Sequence, residues 1–213
     1  MIKAIIFDLD GTLVDSRDIV LGAFQHVLEE FGGEYNEELV SSYVGGRLEN
    51  TYKVLLPKHD TTKLTDSHRN WQADNRHLLK SFLGLEKFLI ALKTSELKLG
   101  LFTSATRTRT DSALDILKIR SYFNDIVCAE DVKAPKPDKE GVIRLAKNLK
   151  VAIHETVLVG DAGFDILSGK NAGVTTVGIT HGFGTKESLE KAGADYLVNN
   201  IKELQKLLLN LSK

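Results

Sequence analysis

Short apolar runs recur along the chain: KAIIFD (3–8), LKLGLFTS (97–104), DIVCAE (125–130), ETVLVGD (155–161), VTTVGIT (174–180) and ADYLVNN (194–200). Each has strand length, and the near-continuous apolar character of ETVLVGD suits a strand covered on both faces. Between them, apolar residues fall at helical spacing over 107–118, 138–149, 165–172, 185–192 and 201–211. Strands alternating with helices predict an α/β fold built on a parallel sheet.

The rhythm stops from residue 16 to residue 82, where helical patterns follow one another without a strong strand. The first carries Ile19, Val20, Ala23, Val27, Leu28 and Phe31 on one face. Asp15 or Ser16 is placed to cap its start, and Gly32-Gly33 to end it. SYVGGRLEN (42–50) reads as a glycine turn between helices, and LLPKHDTTKLTDS (55–67) as a loop running into a helix. A segment this long exceeds a crossover connection. The expected organisation is a core of residues 1–15 and 83–213, with 16–82 inserted as a second, helical domain over the strand ends.

Composition narrows the function classes. The 213 residues are 42% hydrophobic and 27% charged, with a net charge of -1. That balance provides no field to draw nucleic acid or an anionic membrane surface. The single cysteine, Cys128, precludes an internal disulfide. The apolar stretch from Met1 to Phe7 is too short for a signal or a membrane span. A cytoplasmic protein is expected, and oligomeric state, monomer or dimer, is not legible.

Ligands of open α/β sheets bind beyond the carboxyl ends of the strands. The first strand ends in Asp8, Asp10, Gly11 and Thr12; the second in Thr103 and Ser104; the fourth in Asp161, with Asp165 one helical turn on. Lys136 lies between Pro135 and Pro137. Singly, each has an ordinary role: a turn for Asp-Gly, a helix cap for Ser104 or Asp161, a solvated lysine. Together, carboxylates, hydroxyls and one lysine suit Mg²⁺ and phosphate, because Mg²⁺ takes one or two carboxylates with phosphate oxygens and water. No His/Cys cluster suggests zinc.

DLDGT (8–12), Thr103-Ser104, Lys136 in KPD and GDAGFD (160–165), in that order, resemble the four motifs of the haloacid dehalogenase superfamily. DLDGTLVDS, GDAGFDILSGKNAGV and GITHGFG look most like its phosphoglycolate phosphatase-type branch. Two departures are a missing second proline after Lys136 and the absence of the asparagine that often follows the second motif's hydroxyl. The resemblance implies a Rossmann-like core with an inserted helical cap of the C1 type. It implies a small phosphorylated metabolite as substrate and Mg²⁺ as cofactor. Asp8 would be the nucleophile and Asp10 the general acid/base. Asp8, the Asp10 carbonyl and Asp161 would hold Mg²⁺, with Asp165 orienting the metal site or Lys136. Ser104 or Thr103, Lys136 and backbone groups near Gly11, Thr12 and Ala105 would hold phosphate. In the cap, Arg47 is the candidate for the substrate's far end. His68, Arg69, Trp71 and His77 read as packing or surface groups, and His181 as a candidate for the rim. The chief rivals are a phosphosugar mutase of the β-phosphoglucomutase type, a pyrophosphatase or nucleotidase, and a phospho-accepting receiver module. The early D-x-D and the insertion disfavour the receiver module.

Overall fold

The computed structural model describes residues 1–213. The chain opens with β1 (Ala4–Phe7) and leaves the sheet through the two-residue β2 (Val14–Asp15). Four helices follow: α1 (Arg17–Glu30), α2 (Glu37–Tyr43), α3 (Leu48–Leu55) and α4 (Thr61–Asp74). The return is through β3 (Lys80–Ser81), which pairs antiparallel with β2, Val14 opposite Ser81 and Asp15 opposite Lys80. The remaining elements are α5 (Leu85–Thr94), β4 (Lys98–Phe102), α6 (Arg107–Ile116), β5 (Asp125–Val127), α7 (Glu140–Leu149) and β6 (Thr156–Gly160). They end with α8 (Gly163–Ala172), β7 (Thr175–Ile179), α9 (Lys186–Lys191), β8 (Tyr196–Val198) and α10 (Ile201–Leu211). No helix is long and apolar enough to cross a membrane.

Six strands make one parallel sheet in the order β5-β4-β1-β6-β7-β8. The chain builds outward from β1 on one side, then crosses back to build the other. The carboxyl end of β1 is therefore the switch point where such sheets open a crevice. Alternation within β1 explains its complete burial. Ile5 and Phe7 belong to the large core with Phe88 and Leu89 of α5 and Leu204 and Leu208 of α10. Ile6 joins a smaller cluster with Val142 and Leu145 of α7 and Leu158 of β6. Phe7 meets Phe88 edge to face, with ring centroids 5.8 Å apart.

The elements depart from expectation mainly at their ends. The second strand stops at Phe102, because Thr103 to Ala105 turn into α6 with Thr106 as its cap. DIVCAE yields only three strand residues before a 3-10 turn. Helix α8 starts two residues early, since Asp165 bonds back to the Ala162 N–H and draws Gly163 into the first turn. Helix α5 was not singled out by the sequence pattern. The expected side-chain cap of α1 is absent: Ser16 holds the cap position, but its hydroxyl makes no hydrogen bond. Gly32-Gly33 does end α1. Gly32 takes φ 74° and the Gly33 N–H reaches back 2.7 Å to the Leu28 carbonyl.

Helix α1 packs on α4, and α4 on α3. Their shared centre is polar as well as apolar: the Tyr52 hydroxyl lies 2.9 Å from His68 Nδ1, and the Phe24 ring sits edge-on to His68 at 4.7 Å. Burial first, then the charges of Arg109 and Arg69, push His68 down to about 3 from an ordinary 6.5. Between those two values the unfolded chain binds a proton that the folded one refuses. Stability therefore falls as pH drops through that window, by up to about 1.4 kcal/mol per pH unit from this group. We expect urea unfolding between about pH 7 and pH 4 to show a shallower acid loss for His68→Gln than for the wild type. Parallel curves would show that His68 is not responsible.

Candidate active site

The residues that follow β1, β4 and β6 converge on one point. Asp8 is buried at the end of β1, held there as its N–H donates to the Val159 carbonyl of β6. Lys136 is wholly buried and donates three hydrogen bonds: to Asp8 Oδ1 at 2.6 Å, Asp165 Oδ1 at 2.7 Å and the Phe102 carbonyl at 2.7 Å. An ammonium has three protons, so this one is saturated. Lys136 thereby ties two carboxylates to the end of β4. Asp8 Oδ2 accepts no hydrogen bond, and Asp8 forms part of the floor of a cleft of about 280 Å³.

Asp161 stands opposite, with both oxygens engaged. Thr12 Oγ1 donates to Oδ1 at 2.8 Å and the Phe183 N–H to Oδ2 at 2.7 Å. The Thr12 side chain thus serves Asp161. Gly11 takes φ 79°, and a Cβ there would overlap Asp161 Oδ2. A Cβ on Gly182 would do the same. The HGFG segment after β7 is therefore part of the site, something its glycines alone do not disclose. Asp165 is committed to Lys136 through Oδ1 and to the Ala162 N–H through Oδ2.

The hydroxyls separate. Thr103 is buried at the end of β4 and accepts from the Ala105 N–H at 3.1 Å. Ser104 turns the other way and donates to the Gly45 carbonyl at 2.7 Å. Gly45 belongs to the turn between α2 and α3, so Ser104 joins the sheet's crevice to the helical unit.

Asp10 faces the cleft and is gripped by a residue that sequence reasoning missed. Arg109 NH1 lies 2.5 Å from Asp10 Oδ2, and NH2 lies 2.6 Å from Oδ1. Burial acts to raise the Asp10 carboxyl, but the guanidinium outweighs it and holds Asp10 below its ordinary value. The available signal was TRTRT, which places two arginines in the first turn of the helix after β4. Arg47 lines the cleft and lies 3.5 Å from Glu49, which Arg69 also meets at 2.7 Å. His68 and Arg69 line the cleft too. Trp71 packs against α1 at Gly22, and His77 is exposed. His181 stacks on Phe82 at 3.7 Å and its Nε2 sits 3.1 Å from the Thr12 carbonyl, beside the linkers rather than on the cleft.

The acids fit a divalent cation. Carboxylate oxygens of Asp8, Asp161 and Asp165 lie within 4.8 Å of one another, all buried, against the single ammonium of Lys136. When all are ionised, negative charge exceeds positive by two, which a divalent ion offsets. Burial pushes Asp8 up to about 7 despite Lys136. Burial, with the charges of Asp8 and Asp165, raises Asp161 well above the carboxylate range. The all-oxygen donor set is the kind Mg²⁺ takes.

The family model of haloacid dehalogenase-like hydrolases matches residues 5–179. The chain belongs to that family. Among curated relatives it is 30% identical to pyrophosphatase PpaX of Bacillus pumilus, over 95% of this chain and 94% of that one. It is 28% identical to pyrophosphatase PpaX of Anoxybacillus flavithermus, over 97% of each. A hydrolase structure from Pseudomonas syringae superposes with TM-score 0.91 at 26% identity, covering 99% of this chain and all of that one. A β-phosphoglucomutase from Clostridium difficile shares the fold with TM-score 0.85 at 23% identity, covering 100% and 97%. The protein is thus a haloacid dehalogenase-like hydrolase with an α/β core and a helical cap.

Lys136 gives this hydrolase a measurable liability. We expect Lys136→Met to destabilise it by about 3–5 kcal/mol in denaturant unfolding, because two buried carboxylates lose their partner. Added Mg²⁺ should recover part of the loss. A loss under about 1 kcal/mol would show that the ion pair is not what holds the strand ends together.

Proposed function

We propose that the chain is a Mg²⁺-dependent phosphatase that hydrolyses a small phosphorylated metabolite through an aspartyl-phosphate on Asp8. One observation carries this reading: Asp8 lines the cleft and is fixed through Oδ1 by Lys136, while its Oδ2 accepts no hydrogen bond. A carboxylate so oriented is a nucleophile with one free oxygen. Asp8 Oδ2 attacks phosphorus as the bond to the leaving oxygen breaks, and Asp10 gives that oxygen a proton. Asp10 then takes a proton from water as it attacks the aspartyl-phosphate, freeing phosphate and regenerating Asp8. Lys136 keeps Asp8 in line and offsets charge near the transferring group. Thr103 borders the same point from β4.

Asp8, the main-chain carbonyl of Asp10 and Asp161 would hold Mg²⁺, with Asp165 acting through Lys136. Bound there, the ion neutralises developing charge on phosphate oxygens.

The relatives named pyrophosphatase make inorganic pyrophosphate the first substrate to assay, ahead of phosphoglycolate-type monoesters and sugar phosphates. Arg47 and Arg69 give the cap side of the cleft cationic groups suited to an anionic leaving group.

Asp8→Asn should lower phosphate release by at least about a thousandfold while circular dichroism and unfolding midpoint stay near wild type. Chelation should silence the wild type, and Mg²⁺ restore it. Full activity in Asp8→Asn would remove the nucleophile from this reading, and isomerisation of glucose 1-phosphate without phosphate release would replace it with a mutase.

A further inference from the structure

One guanidinium occupies both oxygens of Asp10. A carboxyl that protonates a leaving oxygen must turn an oxygen toward it. At least one of the two bonds to Arg109 then breaks. Arg109 bonds no other acceptor in the structure: Asp10 is its only ion-pair partner, and its Nε is shielded from water without a hydrogen bond. Both side chains are 16% exposed, so a separated Arg109 charge is poorly solvated. Release of Asp10 thus requires another anion for Arg109. The cleft it lines is where the leaving group must sit, since Asp8 and Asp10 line the same cleft. Arg47 and Arg69, on its cap side, both already share Glu49, so Arg109 is the guanidinium whose partner must change during the reaction.

Building on the phosphatase reading above, we propose that Arg109 is both a positioning residue and a substrate-binding residue: it holds Asp10 by both oxygens and releases it by passing its two-pronged grip to a phosphate or carboxylate on the leaving group. The substrate class follows. Compounds whose leaving group is anionic free their own acid, and pyrophosphate is the smallest. Esters of uncharged alcohols leave Asp10 clamped. Selectivity resides in access to the acid as well as in binding.

The test compares the wild type and Arg109→Met on inorganic pyrophosphate and on butyl phosphate, whose leaving alcohol is uncharged. Calorimetric binding of methylenediphosphonate runs beside it. The ratio of kcat/KM for pyrophosphate to that for butyl phosphate should fall by tenfold or more, with pyrophosphate KM raised. Methylenediphosphonate should bind about tenfold more weakly or worse. Arg109→Lys should recover part of the binding. A ratio that falls less than tenfold, as parallel losses from a merely structural role would give, overturns the proposal. So does undiminished methylenediphosphonate binding. Should the wild type release phosphate from neither of these, nor from phosphoglycolate or a sugar phosphate, the phosphatase reading fails by itself, and the binding comparison alone decides Arg109.

Discussion

The buried ammonium of Lys136 is the contact on which the site depends. It joins β1 through Asp8, β4 through the Phe102 carbonyl and α8 through Asp165. These elements are far apart in sequence, and only the parallel sheet brings their ends together. Desolvating a lysine and two carboxylates costs several kcal/mol per ion, and saturating the lysine's three protons is what makes the arrangement tolerable. Near-complete satisfaction has a second effect. It fixes Asp8 through one oxygen and leaves the other unbonded, an arrangement that suits the nucleophile proposed above.

Asp161 follows a different logic. Its carboxylate is held by a hydroxyl and a backbone N–H, neither of them charged. Close packing around it is possible because Gly11 and Gly182 have no side chains to intrude. The site thus binds its acids by geometry while leaving their charge uncompensated. That residual charge destabilises the isolated core, and a divalent cation bound there would relieve it. Folding and metal affinity pull in opposite directions at these residues, as functional sites commonly show.

Much of this was legible from the chain. Strand order of appearance, the helical insertion and the acids at the strand ends all follow from periodicity and from where open sheets bind ligands. Three things were not. Helix α5 hid behind the adjoining strand pattern of LKLGLF, because apolar residues on both sides blur the change of period. Ser104 and Thr103 are neighbours with the same functional group, and only the turn into α6 decides which one faces the sheet's crevice and which one the cap. Arg109 was invisible for a simpler reason. An arginine in the first turn of a helix ordinarily reads as solvated, and its meaning lies in a partner, Asp10, that is 99 positions away.

The two charged systems of the site are built for opposite tasks. Around Lys136 the groups interlock and nothing can move without stranding a buried charge. Between Asp10 and Arg109 the pair is self-contained, sits at the edge of the cleft and is more open to solvent. A two-bond pair of this kind exchanges partners at little net cost when an equivalent anion arrives, since one charge-assisted contact replaces another. A general acid must move during turnover and a nucleophile must not. The division of ionic contacts between a locked cluster at Asp8 and an exchangeable pair at Asp10, two residues apart on the same strand end, suits the roles proposed for them above.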